Sequence, residues 1–182
     1  MESKLRYTAP CFYIPKKDRS LQLVQDYRKL NQVTIKDKTP LPLIGEVINK
    51  LKDTRYFNKL DLIWKYNNVR IKGDKWKAVF LTNKGLFKPQ VMYFGLYNSP
   101  GTFQRMMNSI FRELLYKSVL ANCMDNFVIP AKTMEELEEQ TIRFLKIVEK
   151  HNLCFKRSKC DFNMEEIPIL GVVVEKEQVK ME

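Results

Sequence analysis

Two carboxylates stand in settings that suit divalent-cation chemistry. Asp61 closes the run Phe57-Asn58-Lys59-Leu60-Asp61, and Asp125 sits in Cys123-Met124-Asp125-Asn126, a turn-like tetrad between Ser118-Val119-Leu120-Ala121 and Phe127-Val128-Ile129. A strand end and a hairpin tip can bring two acids together. Carboxylate oxygens are the ligands hard cations prefer. Two such ions about 3.5–4 Å apart can activate an attacking oxygen and steady a leaving one in phosphoryl transfer. Taken without their surroundings, the plainer readings are favoured: a strand-end turn acid for Asp61 and an Asp-Asn turn for Asp125.

The elements around these acids give a coherent pattern. Thr39-Pro40-Leu41-Pro42 opens a first helix, with Ile44, Val47, Ile48 and Leu51 at helical spacing. Ser99-Pro100 opens a second, since Ser suits the N-cap and Pro the first turn. Its stripe runs Phe103, Met106, Met107, Ile110, Phe111, Leu114 and Leu115, and its methionines read as core packing. Thr133-Met134-Glu135-Glu136 has the capping-box pattern and starts a third helix, buried along Leu137, Thr141, Phe144, Leu145 and Val148. The acidic residues of its early turns suit the positive end of the helix dipole on a solvated face. Tyr66 to Lys72 and Trp76 to Leu81 read as strands, with turns at Gly73-Asp74 and Lys84-Gly85. Ile169 to Val174 followed by Val179-Lys180-Met181 reads as a closing hairpin. This mixture predicts an α+β fold with an antiparallel sheet backed by helices.

Composition narrows the class further. The chain has 182 residues, 45% of them hydrophobic and 12% aromatic, enough for a core in one domain or two intimate subdomains. Lys and Arg number 32 against 21 Asp and Glu, a net charge of +11. That excess favours a polyanionic partner, although a merely soluble basic surface accounts for it equally. Cys11, Cys123, Cys154 and Cys160 form no C-x-x-C pair. With His151 as the single histidine, free thiols are the better reading than zinc. No apolar leader opens the chain and no run spans a bilayer, so an intracellular location, cytoplasm or nucleus, is expected.

An ordered series of motifs carries a resemblance. Pro15-Lys16-Lys17-Asp18 is followed by Val24-Gln25-Asp26-Tyr27-Arg28-Lys29-Leu30-Asn31, by Thr39-Pro40-Leu41-Pro42-Leu43-Ile44, and by Phe57-Asn58-Lys59-Leu60-Asp61-Leu62. Then come Gly85-Leu86-Phe87, Phe94-Gly95-Leu96-Tyr97-Asn98-Ser99-Pro100, Thr102-Phe103-Gln104, Cys123-Met124-Asp125-Asn126, Lys156 with Lys159-Cys160, and Leu170-Gly171. Across nearly its whole length the chain resembles reverse transcriptases of gypsy-class LTR retrotransposons. The resemblance implies a right-hand polymerase with fingers at 1–38 and 69–98, palm at 39–68 and 99–182, and no thumb, connection or RNase H part. It also implies an RNA-directed DNA polymerase that joins a primer 3′-hydroxyl to the α-phosphate of a deoxynucleoside triphosphate. The partners would be an RNA or DNA template with a DNA primer, and the cofactor two Mg²⁺ ions on Asp61 and Asp125. No membrane is involved.

The same match implies roles for other residues. Lys16, Lys17 and the position of Gln22 approach the nucleotide phosphates, while Asp26 and Arg28 meet the template strand. Leu62 and Lys65 adjoin the nucleotide, Tyr66 excludes a ribose 2′-hydroxyl by bulk, and Phe94 and Gly95 form the floor of the site.

Departures from the family pattern imply impaired chemistry. Asn126 replaces the second hairpin acid, keeping an acceptor oxygen but no charge. Gln22 stands where the family carries an arginine, and a neutral amide cannot form a charge-assisted fork. Cys123 replaces an aromatic residue, and Lys65 replaces a small one, usually Gly; its length would crowd the nucleotide, or its charge instead partly replace the missing arginine. Arg19 and Ser20 alter a turn where the family often has Gly. The expectation is a polymerase domain by descent, a piece of a polyprotein, weakened at Asn126. The alternatives are a catalytically dead nucleic-acid-binding remnant and a decayed fragment without function.

Overall fold

The computed structural model describes residues 8–15, 19, 21–63, 65–169, 171–175 and 178–181. In chain order these form β1 (Ala9–Pro15), β2 (Leu21–Gln25), α1 (Arg28–Val33), α2 (Ile44–Leu51), β3 (Tyr56–Asp61), β4 (Phe80–Thr82) and β5 (Gly85–Phe87). There follow α3 (Ser99–Ile110), α4 (Arg112–Tyr116), β6 (Ala121–Cys123), β7 (Asn126–Ala131), α5 (Met134–Lys150), β8 (Asp161–Met164), β9 (Glu166–Ile169), β10 (Val172–Glu175) and β11 (Gln178–Met181). The chain divides into two compact units, one of Met1–Lys38 with Tyr66–Phe103 and one of Thr39–Lys65 with Gln104–Glu182. Among the described residues no helix is long and apolar enough to cross a membrane.

The first unit is built on a sheet ordered β2-β1-β4-β5, antiparallel except for the β1/β4 pair. Its core gathers Ala9, Tyr27, Ala78 and Phe80. The buried Tyr27 hydroxyl donates to the Ala78 carbonyl at 2.9 Å, which satisfies the polar end of a large apolar ring. Two asparagines tie down the loops. Asn31 donates to the Gly95 carbonyl and accepts from the Tyr97 N–H, and Asn98 donates to the Ile35 carbonyl and accepts from the Asp37 N–H.

The second unit holds an antiparallel sheet ordered β6-β7-β3-β8 and a smaller one ordered β11-β10-β9. β3 and β7 pair residue for residue from Tyr56↔Ala131 to Asp61↔Asn126. Both faces of the central strands are covered: α5 packs over Phe127, while Phe57 and Val128 on the other face join Val47, Leu51, Ile167, Ile169 and Val174. The rings of Phe111 and Phe144 stack at 4.9 Å, and Phe127 and Phe155 close around them. Asn58, only 2% exposed in the middle of β3, donates to Thr141 Oγ1 and accepts from the Asn163 N–H, both at 2.7 Å. A buried amide with both ends paired tolerates its burial and fixes α5 and β8 against β3.

Several expectations from the sequence need correction. Tyr66–Lys72 is not a strand: Lys65–Asn68 forms a 3₁₀ turn, and Arg70 makes one isolated bridge to Val91. The turn buries Tyr66 edge-on against Phe94 and Phe103, so the aromatic finds its cover without a sheet. Trp76–Leu81 is a 3₁₀ helix (Asp74–Ala78) running into the short β4; Trp76 is half exposed while Ala78, Val79 and Phe80 are buried in succession, so the stretch does not alternate as a strand. Helix α2 begins at Ile44, because Pro40 and Pro42 hold the residues before them extended. The second expected helix breaks at Phe111 into α3 and α4. On α5, Leu145 is exposed and Gln140 takes its place on the buried face. The run Ile169–Val174 is divided by a turn at Gly171, whose φ of +81° suits glycine. The unforeseen α1 is six residues long and buries no side chain completely, so it has no strong periodic signal.

The α5 cap is as the sequence indicates. Thr133 Oγ1 accepts from the Glu136 N–H at 3.2 Å, while Glu136 Oε2 reaches back to the Lys132 N–H at 2.9 Å. The aromatic cluster predicts a large stability effect. Phe144→Ala should lower the unfolding free energy by roughly 3–5 kcal/mol, read from the urea midpoint at unchanged slope; a loss below about 1 kcal/mol would mean that the cluster does not hold α5 to the sheet.

Candidate active site

The β3–β7 register places the chemistry. Asp61 is the last residue of β3 and faces Asn126, the first of β7. Cys123↔Asn126 closes the β6–β7 hairpin around a two-residue tip, Met124-Asp125. The Leu62 N–H donates to the Asp125 carbonyl at 3.1 Å, so the tip is tied to the end of β3. Both acids and Asn126 therefore meet at one edge of the sheet. Met124 has φ +59°, a region that favours glycine, and its backbone is restrained from two sides. Its N–H donates to Gln104 Oε1 at 2.8 Å and its carbonyl accepts from Asn122 Nδ2 at 3.1 Å. Gln104 is fully buried and also bonds the Asn122 side chain and Asn108. Strained turns of this kind persist where surroundings over-determine them.

Each carboxylate has an ammonium group near it. Lys65 Nζ forms an ion pair with Asp125 Oδ2, whose side chain is only 10% exposed. Lys159 Nζ lies 3.7 Å from Asp61 Oδ2. The Asp61 carbonyl accepts from the Lys156 N–H at 2.9 Å, which brings the loop carrying Lys159 to the strand end. Burial, and next the Asp125 charge, push the Cys123 thiol up from its ordinary value. Gln104 and Lys159 had no role assigned from the sequence. Both lie in motifs that carry the resemblance, so position marked them while residue type did not.

The other candidate residues take varied positions. Leu62 is buried, and its contribution to the site is its N–H. In the first unit, Gln22 sits in β2 opposite Ile14. Gly95 has φ +94°, and a Cβ there would come 3.3 Å from the Gln25 carbonyl; the close approach that requires glycine is to the chain's own backbone. Phe94 is exposed and Tyr66 is buried against it. Asp26 and Arg28 form a bidentate pair with bonds of 2.9 and 2.7 Å. Lys16 and Lys17 lie outside the described residues, as do Ser20 and Leu170.

A family profile for reverse transcriptase (RNA-dependent DNA polymerase) matches residues 14–174. The chain belongs to the reverse transcriptase family. It is 34% identical over 185 residues to the retrovirus-related Pol polyprotein from transposon 297 of Drosophila melanogaster, covering 98% of the chain. It is 33% identical over 171 residues to the transposon Tf2-7 polyprotein of Schizosaccharomyces pombe, covering 93%. Both relatives are transposon polyproteins, consistent with the gypsy-class resemblance, and the chain spans only 17% and 13% of their lengths. All of the chain matches foamy viral protease-reverse transcriptase at 17% identity. The TM-score is 0.89 to the form in complex with double-stranded DNA, covering 32% of that chain, and 0.87 to the form in complex with an RNA/DNA hybrid, covering 24%. These likenesses establish the polymerase fold.

Reverse transcriptases generally use divalent metal ions, and this donor set is a poor fit to two of them. Among the described residues no three His, Cys, Asp or Glu side chains group closely enough to hold a metal. Asp61 and Asp125 face a neutral Asn126, and Lys65 and Lys159 bring positive charge to both carboxylates. Two divalent ions carry more charge than two carboxylates balance, and the ammonium groups repel them further.

Arg28 holds the Asp26 carboxyl at about 2, through its side-chain and then its backbone hydrogen bond. The pair's contribution is present above the unfolded carboxyl value and is lost as pH falls through about 2. A carboxyl-carbon NMR titration should find the Asp26 midpoint near 2 and move it toward 3.8 in Arg28→Ala; an unmoved midpoint would assign the shift elsewhere. Gln104→Ala should cost roughly 1–3 kcal/mol by leaving buried partners unpaired, with amide exchange at Met124 accelerated; unchanged exchange there would show that Gln104 does not restrain the hairpin tip.

Proposed function

We propose that this chain is the fingers and palm of a retrotransposon RNA-directed DNA polymerase, which grips a template–primer duplex and is impaired in nucleotidyl transfer. The first compact unit would be the fingers and the second the palm. The observation that carries the reading is the Asp61↔Asn126 pairing beside Asp125, at the position where the family's hairpin acids lie. The net charge of +11 supports a phosphate-rich partner, and the solved relatives of the same fold are described in complex with an RNA/DNA hybrid and with double-stranded DNA. Intracellular action on RNA or DNA templates, with deoxynucleoside triphosphates as substrates and Mg²⁺ as the natural ion, belongs to the same proposal.

The chain's own residues would divide the work. Asp61 and Asp125 supply negative charge at the reacting end of the primer, and Asn126 supplies only an acceptor oxygen. Tyr66, seated against Phe94, would exclude a 2′-hydroxyl by bulk, and Gly95 would shape the floor. Lys16, Lys17 and Gln22 would approach the phosphates, and Asp26 with Arg28 the template.

Primer extension on an RNA template in Mg²⁺, with hybrid binding followed in parallel, tests the proposal. Hybrid affinity should fall steeply with salt, log K against log[salt] having a slope of about −0.9 for each phosphate neutralised. The unaltered chain should extend primers at least about tenfold more slowly than Asn126→Asp, equivalent to roughly 1.4 kcal/mol of barrier. Ordinary extension speed in the unaltered chain would refute the impairment. Absent or salt-insensitive hybrid binding by the folded chain would refute the proposal as a whole.

A further inference from the structure

We infer that Lys65 is an internal counter-cation: its ammonium takes the place at Asp125 that a divalent ion would need, and so closes the carboxylate pair to metal. The inference rests on reading Asp61 and Asp125 as the carboxylates of a polymerase site.

The ion pair itself is the first support. Exposed lysine–carboxylate pairs contribute little and exchange freely with water and salt. Here the Asp125 side chain is 10% exposed and that of Lys65 is 37% exposed, so the carboxylate has little open surface left. A cation arriving at Asp125 Oδ2 must displace the ammonium or sit beside it, and like charges in a half-buried site repel strongly.

The backbone gives independent support. Lys65 has φ +30°, in the region where a side chain is disfavoured and glycine is at ease. A lysine held there needs compensation from its surroundings. Lys65 opens the 3₁₀ turn Lys65–Asn68, and the Asp125 pair anchors the end of its side chain.

The charge pattern completes the case. Lys159 Nζ stands 3.7 Å from Asp61 Oδ2, so the second carboxylate is attended as well, from a more exposed side chain. Asn126, directly opposite Asp61, adds no charge to draw an ion in. Two acids and two ammonium groups make a locally neutral cluster. Removing the charge of Lys65 restores the negative potential at the better-covered acid, where metal affinity has most to gain.

The test is Mn²⁺ binding to the full chain without nucleotide or nucleic acid, read by electron paramagnetic resonance of free Mn²⁺. Lys65→Gly suits the backbone, and Lys65→Gln removes the charge with a side chain still present; circular dichroism confirms that each is folded. Both should bind Mn²⁺ at least tenfold more tightly than the unaltered chain. Lys65→Arg should bind as weakly as the unaltered chain, and adding Asp125→Asn to Lys65→Gly should abolish the gain. Equal affinity in the unaltered chain and the neutral variants would overturn the inference. So would a gain confined to Lys65→Gly, which would belong to the backbone, or a gain that survives Asp125→Asn. Hybrid binding measured on the same samples judges the polymerase reading separately: its loss in folded protein would remove that reading whatever the Mn²⁺ result, while retained binding without a Mn²⁺ gain would defeat only the role of Lys65.

Discussion

The pairing of β3 with β7 is the constraint on which the site depends. Six successive residue pairs fix Asp61 opposite Asn126, and the side chains of a strand alternate faces. A slip of one residue would carry Asp61 to the face of Asn58 and Leu60, and Asn58 to the face where Phe57 packs against α2 and β9–β10. Nothing about the carboxylates themselves resists that slip. The apolar residues Phe57, Leu60, Phe127 and Ile129 resist it, because each is almost completely buried in the paired arrangement. The acids are placed by hydrophobic burial elsewhere on the same strands, and the register carries that placement to the sheet edge.

Polar groups inside the second unit then convert approximate placement into a defined geometry. Asn58 joins β3 to α5 and β8 through paired hydrogen bonds. Gln104 performs a similar task for the hairpin tip, reaching the Met124 backbone and Asn122. These amides are buried, and each unmade bond would be costly. They allow a turn with a left-handed methionine to persist beside the acids. The same logic explains Gly95 in the first unit, where the Gln25 carbonyl lies too close for a Cβ to fit comfortably.

Much of this was legible in the sequence, for identifiable reasons. The Thr133 cap and the Phe144 face of α5 have strong local signals that tertiary packing reinforces. The position of Asp125 in a turn was visible from the tetrad and its flanking apolar runs. The stretches 66–72 and 76–81 were misread because aromatics and charges alternate there although, of the two, only Phe80 and Leu81 join a sheet. Tyr66 is covered by other rings instead. The Lys65–Asp125 pair could not be read locally, since its partners are far apart in sequence and meet only through the β3–β7 register. The sequence did mark Lys65 as out of place, and its φ shows the physical basis of that mark.

The interleaving of the two units has a consequence for the order in which the chain can be made and folded. Every segment of the first unit lies within Met1–Phe103, whereas the second begins at Thr39 and resumes only at Gln104. A ribosome therefore delivers all of the first unit while β3 still lacks both its neighbours, β7 and β8. Throughout that interval β3 has both edges unpaired, the condition in which strands bind the wrong partner. The apolar residues that later enforce the register are then a hazard during synthesis. Lys59, in the middle of β3, is the only charged residue between Tyr56 and Leu60, a lone gatekeeper on a strand that waits about 65 residues for β7 to emerge.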